Sequence, residues 1–135
     1  MKKMLAMLLA LMMICPAAAF AEEDYEPLYS LAANYGFKLG SCLSFNQLRD
    51  QKYLNLLKSH FNSVTMTNEM KAYSLLDEKA SRNAEDGMPV MNYWMADQMV
   101  GWAQENGIAV RGHVLVWDAY MCDWYFHEGY DTKQP

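Results

Sequence analysis

Ile108-Ala109-Val110-Arg111-Gly112-His113-Val114-Leu115-Val116-Trp117 is the segment whose reading decides the fold. Apolar side chains occupy both alternating sets of positions, so a strand here would be covered on both faces, as in a parallel sheet. The residues before it repeat on a helical period: Tyr93, Trp94, Met95, Met99, Val100, Trp102 and Ala103, closed by Asn106-Gly107. Trp94 and Trp102 fall on that apolar stripe and are expected in the core. Further upstream, Phe61-Asn62-Ser63-Val64-Thr65-Met66-Thr67 is rich in β-branched residues and reads as a strand. Between the two lies a polar connection from Asn68 to about Pro89, long for an unstructured link and so a candidate functional loop.

The same alternation extends toward the N-terminus. Leu48, Tyr53, Leu54, Leu56, Leu57 and Phe61 mark a helix from Asn46, with Ser44 or Asn46 as its N-cap. Phe37 to Leu43 alternates as a strand, with Gly40 where another backbone approaches closely. Leu28, Leu31, Ala32 and Tyr35 give a short helix over 25–35 that Gly36 ends. The order βαβαβ predicts an α/β fold of parallel strands with right-handed helical crossovers. The tail from Asp118 to Pro135 reads as an aromatic loop.

The first 21 residues belong to a different class. Met1-Lys2-Lys3 is basic, Met4 to Ile14 is apolar without charge, and Ala19-Phe20-Ala21 offers small residues for cleavage. That is the pattern of an export signal, and the apolar run is too short for a spanning helix of roughly 20 residues. A retained anchor and a lipoprotein through Cys15 are the weaker alternatives. Cleavage before Glu22 leaves 114 residues, and loss of Lys2 and Lys3 takes the net charge from −5 to −7. An acidic chain of pI near 5.1 is a poor partner for nucleic acid, which needs a basic stripe. The mature chain keeps Cys42 and Cys122, and free thiols are the expectation. Their isolation gives no metal signature, and no cofactor is expected.

Polar and aromatic groups collect past the ends of the second and third strands: Asn68, Glu69 and Lys71, then Trp117, Asp118 and Tyr120. In α/β proteins that edge carries the sites. Aromatic plates beside amide, ammonium and carboxylate groups suit a sugar, with its apolar face and hydroxyl rim. A phosphate ligand is disfavoured, since no glycine-rich loop opens a helix.

Three segments resemble glycoside hydrolase family ten, the secreted endo-1,4-β-xylanases. They are Phe61 to Lys71, ending Thr67-Asn68-Glu69-Met70-Lys71; Ala96-Asp97-Gln98-Met99-Val100-Gly101-Trp102-Ala103; and Val110 to Trp117, containing Arg111-Gly112-His113. The resemblance covers about residues 28–131. It implies a (β/α)8 barrel of which this chain holds the first three βα units, residues 22–135 being the N-terminal part of a catalytic domain. It implies retaining hydrolysis of β-1,4-xylan by two Glu carboxylates on the fourth and seventh strands, beyond residue 135. No catalytic residue is then expected in this chain.

The resemblance also implies substrate-binding roles, with xylan or a xylo-oligosaccharide as the partner. Asn68 and Lys71 would bind the non-reducing-side sugar next to the cleaved one; His113 and Trp117 would line the sugar at the point of cleavage. Thr67 stands where the family usually has Glu, and Asp118-Ala119-Tyr120 stands where it reads His-Ser-Gln or similar. Glu69 is not expected to substitute as a catalytic carboxylate. Its family counterpart has no such role, and no second carboxylate is placed opposite it at the separation of roughly 5–5.5 Å that retention needs.

Read without the family, the same residues have plainer roles. His113 would be a hydrogen-bonded core histidine, Trp117 a packing residue, Asn68 and Lys71 loop polars. Arg111 is expected to pair with a buried carboxylate, and His60 and His127 to lie at the surface. A full barrel takes about 250 residues, so three strands would leave strand three as an unpaired, aggregation-prone edge. The altered contacts at Thr67, Asp118 and Tyr120 keep one alternative open, a non-catalytic carbohydrate-binding barrel related to xylanases.

Overall fold

The computed structural model describes residues 25–135. The export signal over 1–21 and the acidic start Glu22-Glu23-Asp24 lie outside the described residues. The elements are α1 (Leu28–Ala33), β1 (Gly40–Leu43), a 3-10 turn (Phe45–Arg49), α2 (Gln51–His60) and β2 (Ser63–Met66). They continue with α3 (Ala72–Leu75), β3 (Leu76–Asp77), α4 (Glu78–Arg82), β4 (Val90–Met91), α5 (Trp94–Glu105) and β5 (Ala109–Arg111). Two 3-10 turns, Asp123–Phe126 and Glu128–Tyr130, close the chain.

β1, β2 and β5 form a parallel sheet with β2 in the middle. The register pairs Leu43 with Met66 and Val64 with Val110, so these side chains share one face. On that face α2 supplies Leu54 and Leu57, and α5 supplies Met99 and Ala103; with Leu43, Val64, Met66 and Ile108 they form the buried core. The opposite face carries Cys42, Thr65 and Arg111, of which Cys42 and Arg111 are exposed. The expectation of burial on both faces of the third strand is therefore corrected. Arg111 is exposed and makes no ion pair with another described residue.

Close backbone approach sets the left half of the sheet. A Cβ on Gly40 would sit 3.3 Å from the Ser63 carbonyl oxygen, a close backbone approach as expected from the sequence, and a larger residue would need the strands to give by a few tenths of an ångström. Asn62 ties the three strand entries together. Its Oδ1 accepts from the Leu39 N–H at 3.0 Å, its N–H donates to the Leu39 carbonyl at 3.1 Å, and its carbonyl accepts from the Ala109 N–H at 3.0 Å.

The strands are shorter than their apolar runs. β5 pairs with β2 only as far as Arg111, opposite Thr65, and residues 113–117 lie past the last residue of β2. Leu115 and Val116 consequently stay largely exposed, at 86% and 78%. The caps also differ from expectation. Ser44 opens the 3-10 turn in a capping box with Gln47, whereas Asp50 caps α2, accepting from the Tyr53 N–H at 3.0 Å. Asp50→Ala is expected to cost about 1 kcal/mol, measurable as a shift in the urea midpoint at unchanged slope.

The connection from Asn68 to Pro89 is ordered. α3 and α4 flank β3, which pairs antiparallel with β4. Ser81, buried at 2%, holds it closed: its hydroxyl donates to the Asp77 carbonyl at 2.6 Å and accepts from the Val90 N–H at 2.9 Å. Trp94 is a second correction. It is 62% exposed and leans on Phe45 at 5.2 Å between ring centroids, while Trp102 is partly buried against the core as expected. His60 and His127 are half-buried rather than at the surface.

Candidate functional site

The chain leaves β2 through a tight turn, with the Lys71 N–H donating to the Asn68 carbonyl at 2.9 Å. The turn sets the Lys71 Nζ against the Asn68 Oδ1 at 3.0 Å. Of the two residues between them, Glu69 points inward and is 8% exposed. Its Oε1 accepts from the Phe45 N–H at 2.7 Å and its Oε2 from the Asn68 N–H at 2.9 Å. A carboxylate bonded to two backbone donors is held in place, because leaving either donor bare would cost a full desolvation penalty. Glu69 thereby clamps the turn bearing Asn68 to the segment that follows β1. This positioning role was not legible in the sequence, where the only signal was a carboxylate between two site candidates.

The loop after β5 brings Trp117 to the same place. The Lys71 ammonium lies 5.2 Å from the Trp117 ring centroid, within cation–π range. Tyr120 packs against Trp117 at 5.4 Å and against Tyr73, from α3, at 6.0 Å. Trp117 is 40% exposed and Tyr120 70%. Amide, ammonium and ring faces therefore converge at the C-terminal edge of the sheet. Such a set can hydrogen-bond hydroxyls and stack on an apolar ring face. Thr67 and Asp118 are exposed nearby in sequence.

Among the described residues His113 makes no hydrogen bond, ion pair or ring contact with Asn68, Lys71 or Trp117, and it lines a cavity of about 350 Å³ with Met70, Tyr93, Asp97, Val100 and Leu115. The structure thus brings together three of the four residues singled out in the sequence.

Cys42 and Cys122 are both free. Burial, and next the charge of Glu78, pushes the Cys122 thiol up from its usual range, against a hydrogen bond with Trp124 that pulls the other way. Cys122 stays protonated at neutral pH and is expected to react with iodoacetamide more slowly than exposed Cys42, as peptide mass mapping over a time course will show.

A parallel α/β sheet with polar and aromatic groups gathered past its C-terminal edge is the architecture of barrel-type enzymes. Residues 27–134 match the Glycosyl hydrolase family 10 profile, and the chain belongs to that family. It is 35% identical over 107 residues to Endo-1,4-beta-xylanase A of Thermotoga maritima, a match covering 79% of this chain and 10% of that protein. Endo-1,4-beta-xylanase A of Butyrivibrio fibrisolvens is 28% identical over 152 residues, covering 96% of this chain and 37% of that protein. Among solved structures, the CBM22-1-GH10 modules of endo-1,4-beta-D-xylanase 10B from Clostridium thermocellum, complexed with xylohexaose, align at TM-score 0.73 and 28% identity. That alignment covers 82% of this chain and 21% of the other. The chain spans about a tenth to two fifths of the length of these relatives.

Proposed function

We propose that this chain forms the first three βα units of a secreted (β/α)8 endo-1,4-β-xylanase, and that it supplies the sugar-gripping side of the groove. The observation that carries the reading is the convergence of Asn68, Lys71 and Trp117 past the ends of β2 and β5. Asn68 and Lys71 take hydroxyls of the sugar on the non-reducing side of the cleaved bond, and Trp117 offers its ring to the neighbouring pyranose. His113 lines, with Trp117, the sugar at the point of cleavage, as the family resemblance implies.

Hydrolysis proceeds with retention. Two Glu carboxylates on the fourth and seventh barrel strands act as acid/base and nucleophile, close enough for a covalent glycosyl intermediate. Glu69 does not take part, since its oxygens are committed to backbone donors. Export through the N-terminal signal delivers the enzyme to its polymeric substrate, and the N-terminus of the protein from culture medium is then Glu22.

The test is release of reducing ends from xylan by the full-length protein, with the anomer of the first product read by NMR. Release with the β-anomer formed first supports the reading. Binding of xylo-oligosaccharide without release favours a non-catalytic carbohydrate-binding barrel. Neither binding nor release overturns both.

A further inference from the structure

The rings around Trp117 are unevenly available. Lys71 lies over the indole and Tyr120 packs on it at a 40° tilt, so two neighbours already occupy part of its surface. Tyr120 is the most open ring of the group, at 70% against 42% for Tyr73 and 40% for Trp117. It reaches that position with φ of 57°, a region that bulky side chains rarely enter. Outliers of this kind persist only where the surroundings hold them, and they cluster at ligand-binding positions. Here the ring has two aromatic neighbours: Tyr73 of α3 at 6.0 Å and Trp117 of the loop after β5 at 5.4 Å. The contacts run in sequence from the Lys71 ammonium to Trp117, then Tyr120, then Tyr73.

The geometry points to Tyr120 as a specificity-determining residue, whose ring is a second stacking platform for a β-linked pyranose unit beyond the one held by Asn68, Lys71 and Trp117. The inference rests on the proposed xylan-binding role of that cluster and deepens it. A ring already packed against two neighbours gives up less conformational freedom on binding than a free one, which favours stacking over a mobile contact. Chain length is the consequence. A ligand long enough to reach Tyr120 gains from it, and a short one does not. The phenol hydroxyl is not needed for stacking, so phenylalanine would serve.

The experiment is calorimetric titration of the full-length protein, with its two proposed catalytic Glu residues replaced by Gln so that the ligand is not cleaved, and of its Tyr120→Ala, Tyr120→Gly and Tyr120→Phe variants in that background, with xylobiose and xylohexaose. Glycine removes the ring while accepting the positive φ, so a loss shared by both truncations is not a folding defect. Both are expected to weaken xylohexaose binding about tenfold, the scale of one lost aromatic platform. Xylobiose binding is expected to change far less, and Tyr120→Phe to stay within about twofold of the parent. Unchanged xylohexaose binding in the Ala and Gly variants overturns the inference while leaving the xylanase reading intact. An equal loss in Tyr120→Phe also overturns it, since the hydroxyl would then carry the contact. If the parent binds neither oligosaccharide, the xylanase reading falls and this inference falls with it.

Discussion

Glu69→Ala is expected to lower stability by about 3 kcal/mol and to weaken xylan binding in the same variant. Two hydrogen bonds to a charged acceptor are lost, and the Phe45 and Asn68 N–H groups are left without a partner. Both bonds are part-buried, so water can reach the freed donors, and the scale is set by two lost hydrogen bonds to a charged acceptor at about 1.5 kcal/mol each. Glu69→Gln keeps one acceptor oxygen and similar volume, and about half the loss is expected from it. The binding defect has a separate origin. Without the clamp, the Asn68–Lys71 turn loses its attachment to the segment after β1, and both side chains lose their fixed spacing of 3.0 Å. Urea denaturation reads the first effect and xylohexaose titration the second. A variant as stable as the parent would show that the carboxylate does not hold the turn.

Lys71→Met is expected to behave in the opposite way, with a large loss of activity and a small loss of stability. Methionine retains an apolar stem but removes the ammonium that faces Asn68 and the Trp117 ring. The Lys71–Asn68 bond is solvent-exposed, so its removal costs the fold little. In the groove the ammonium would donate to a sugar hydroxyl, and hydrogen bonds from charged groups are worth about 1.5–3 kcal/mol. A fall in kcat/KM on xylan of about a hundredfold follows from the upper half of that range. A full-rate variant would remove Lys71 from the substrate-binding set.

The helical and strand periods were legible where packing and local chemistry agree. Met99 and Ala103 are spaced for one helix face, and both are fully buried. Val64 and Met66 alternate, and both meet the core. Gly40 announced a close backbone approach and has one. The failures share a cause, which is that hydrophobicity does not report the presence of a partner. Residues 113–117 continue the apolar run of a buried strand, but they lie past the last residue of β2, and pairing has already stopped at Arg111. Trp94 fits the helical stripe of α5, yet the sheet ends short of it and the indole is left against Phe45. The order in the 68–89 connection depended on Ser81, a small polar residue whose value lies in two specific hydrogen bonds invisible to periodicity.

The site shows the same division. Asn68 and Lys71 were near in sequence and meet through a single turn, so their partnership was readable. Their meeting with Trp117 spans the single crossover from β2 to β5 and followed from the edge rule for parallel sheets. His113 sits four residues before Trp117, but strand geometry gives way at Gly112, and its side chain opens into a neighbouring cavity. The contribution of Glu69 emerges only when Phe45, 24 residues away, is brought to it.

The most direct measurement is a crystal structure of the full-length protein soaked with xylotriose. A xylosyl unit with its hydroxyls on the Asn68 side-chain amide and the Lys71 Nζ, and its neighbour against Trp117, is the predicted result. Xylotriose ordered elsewhere on the barrel, with these three side chains untouched, would contradict it.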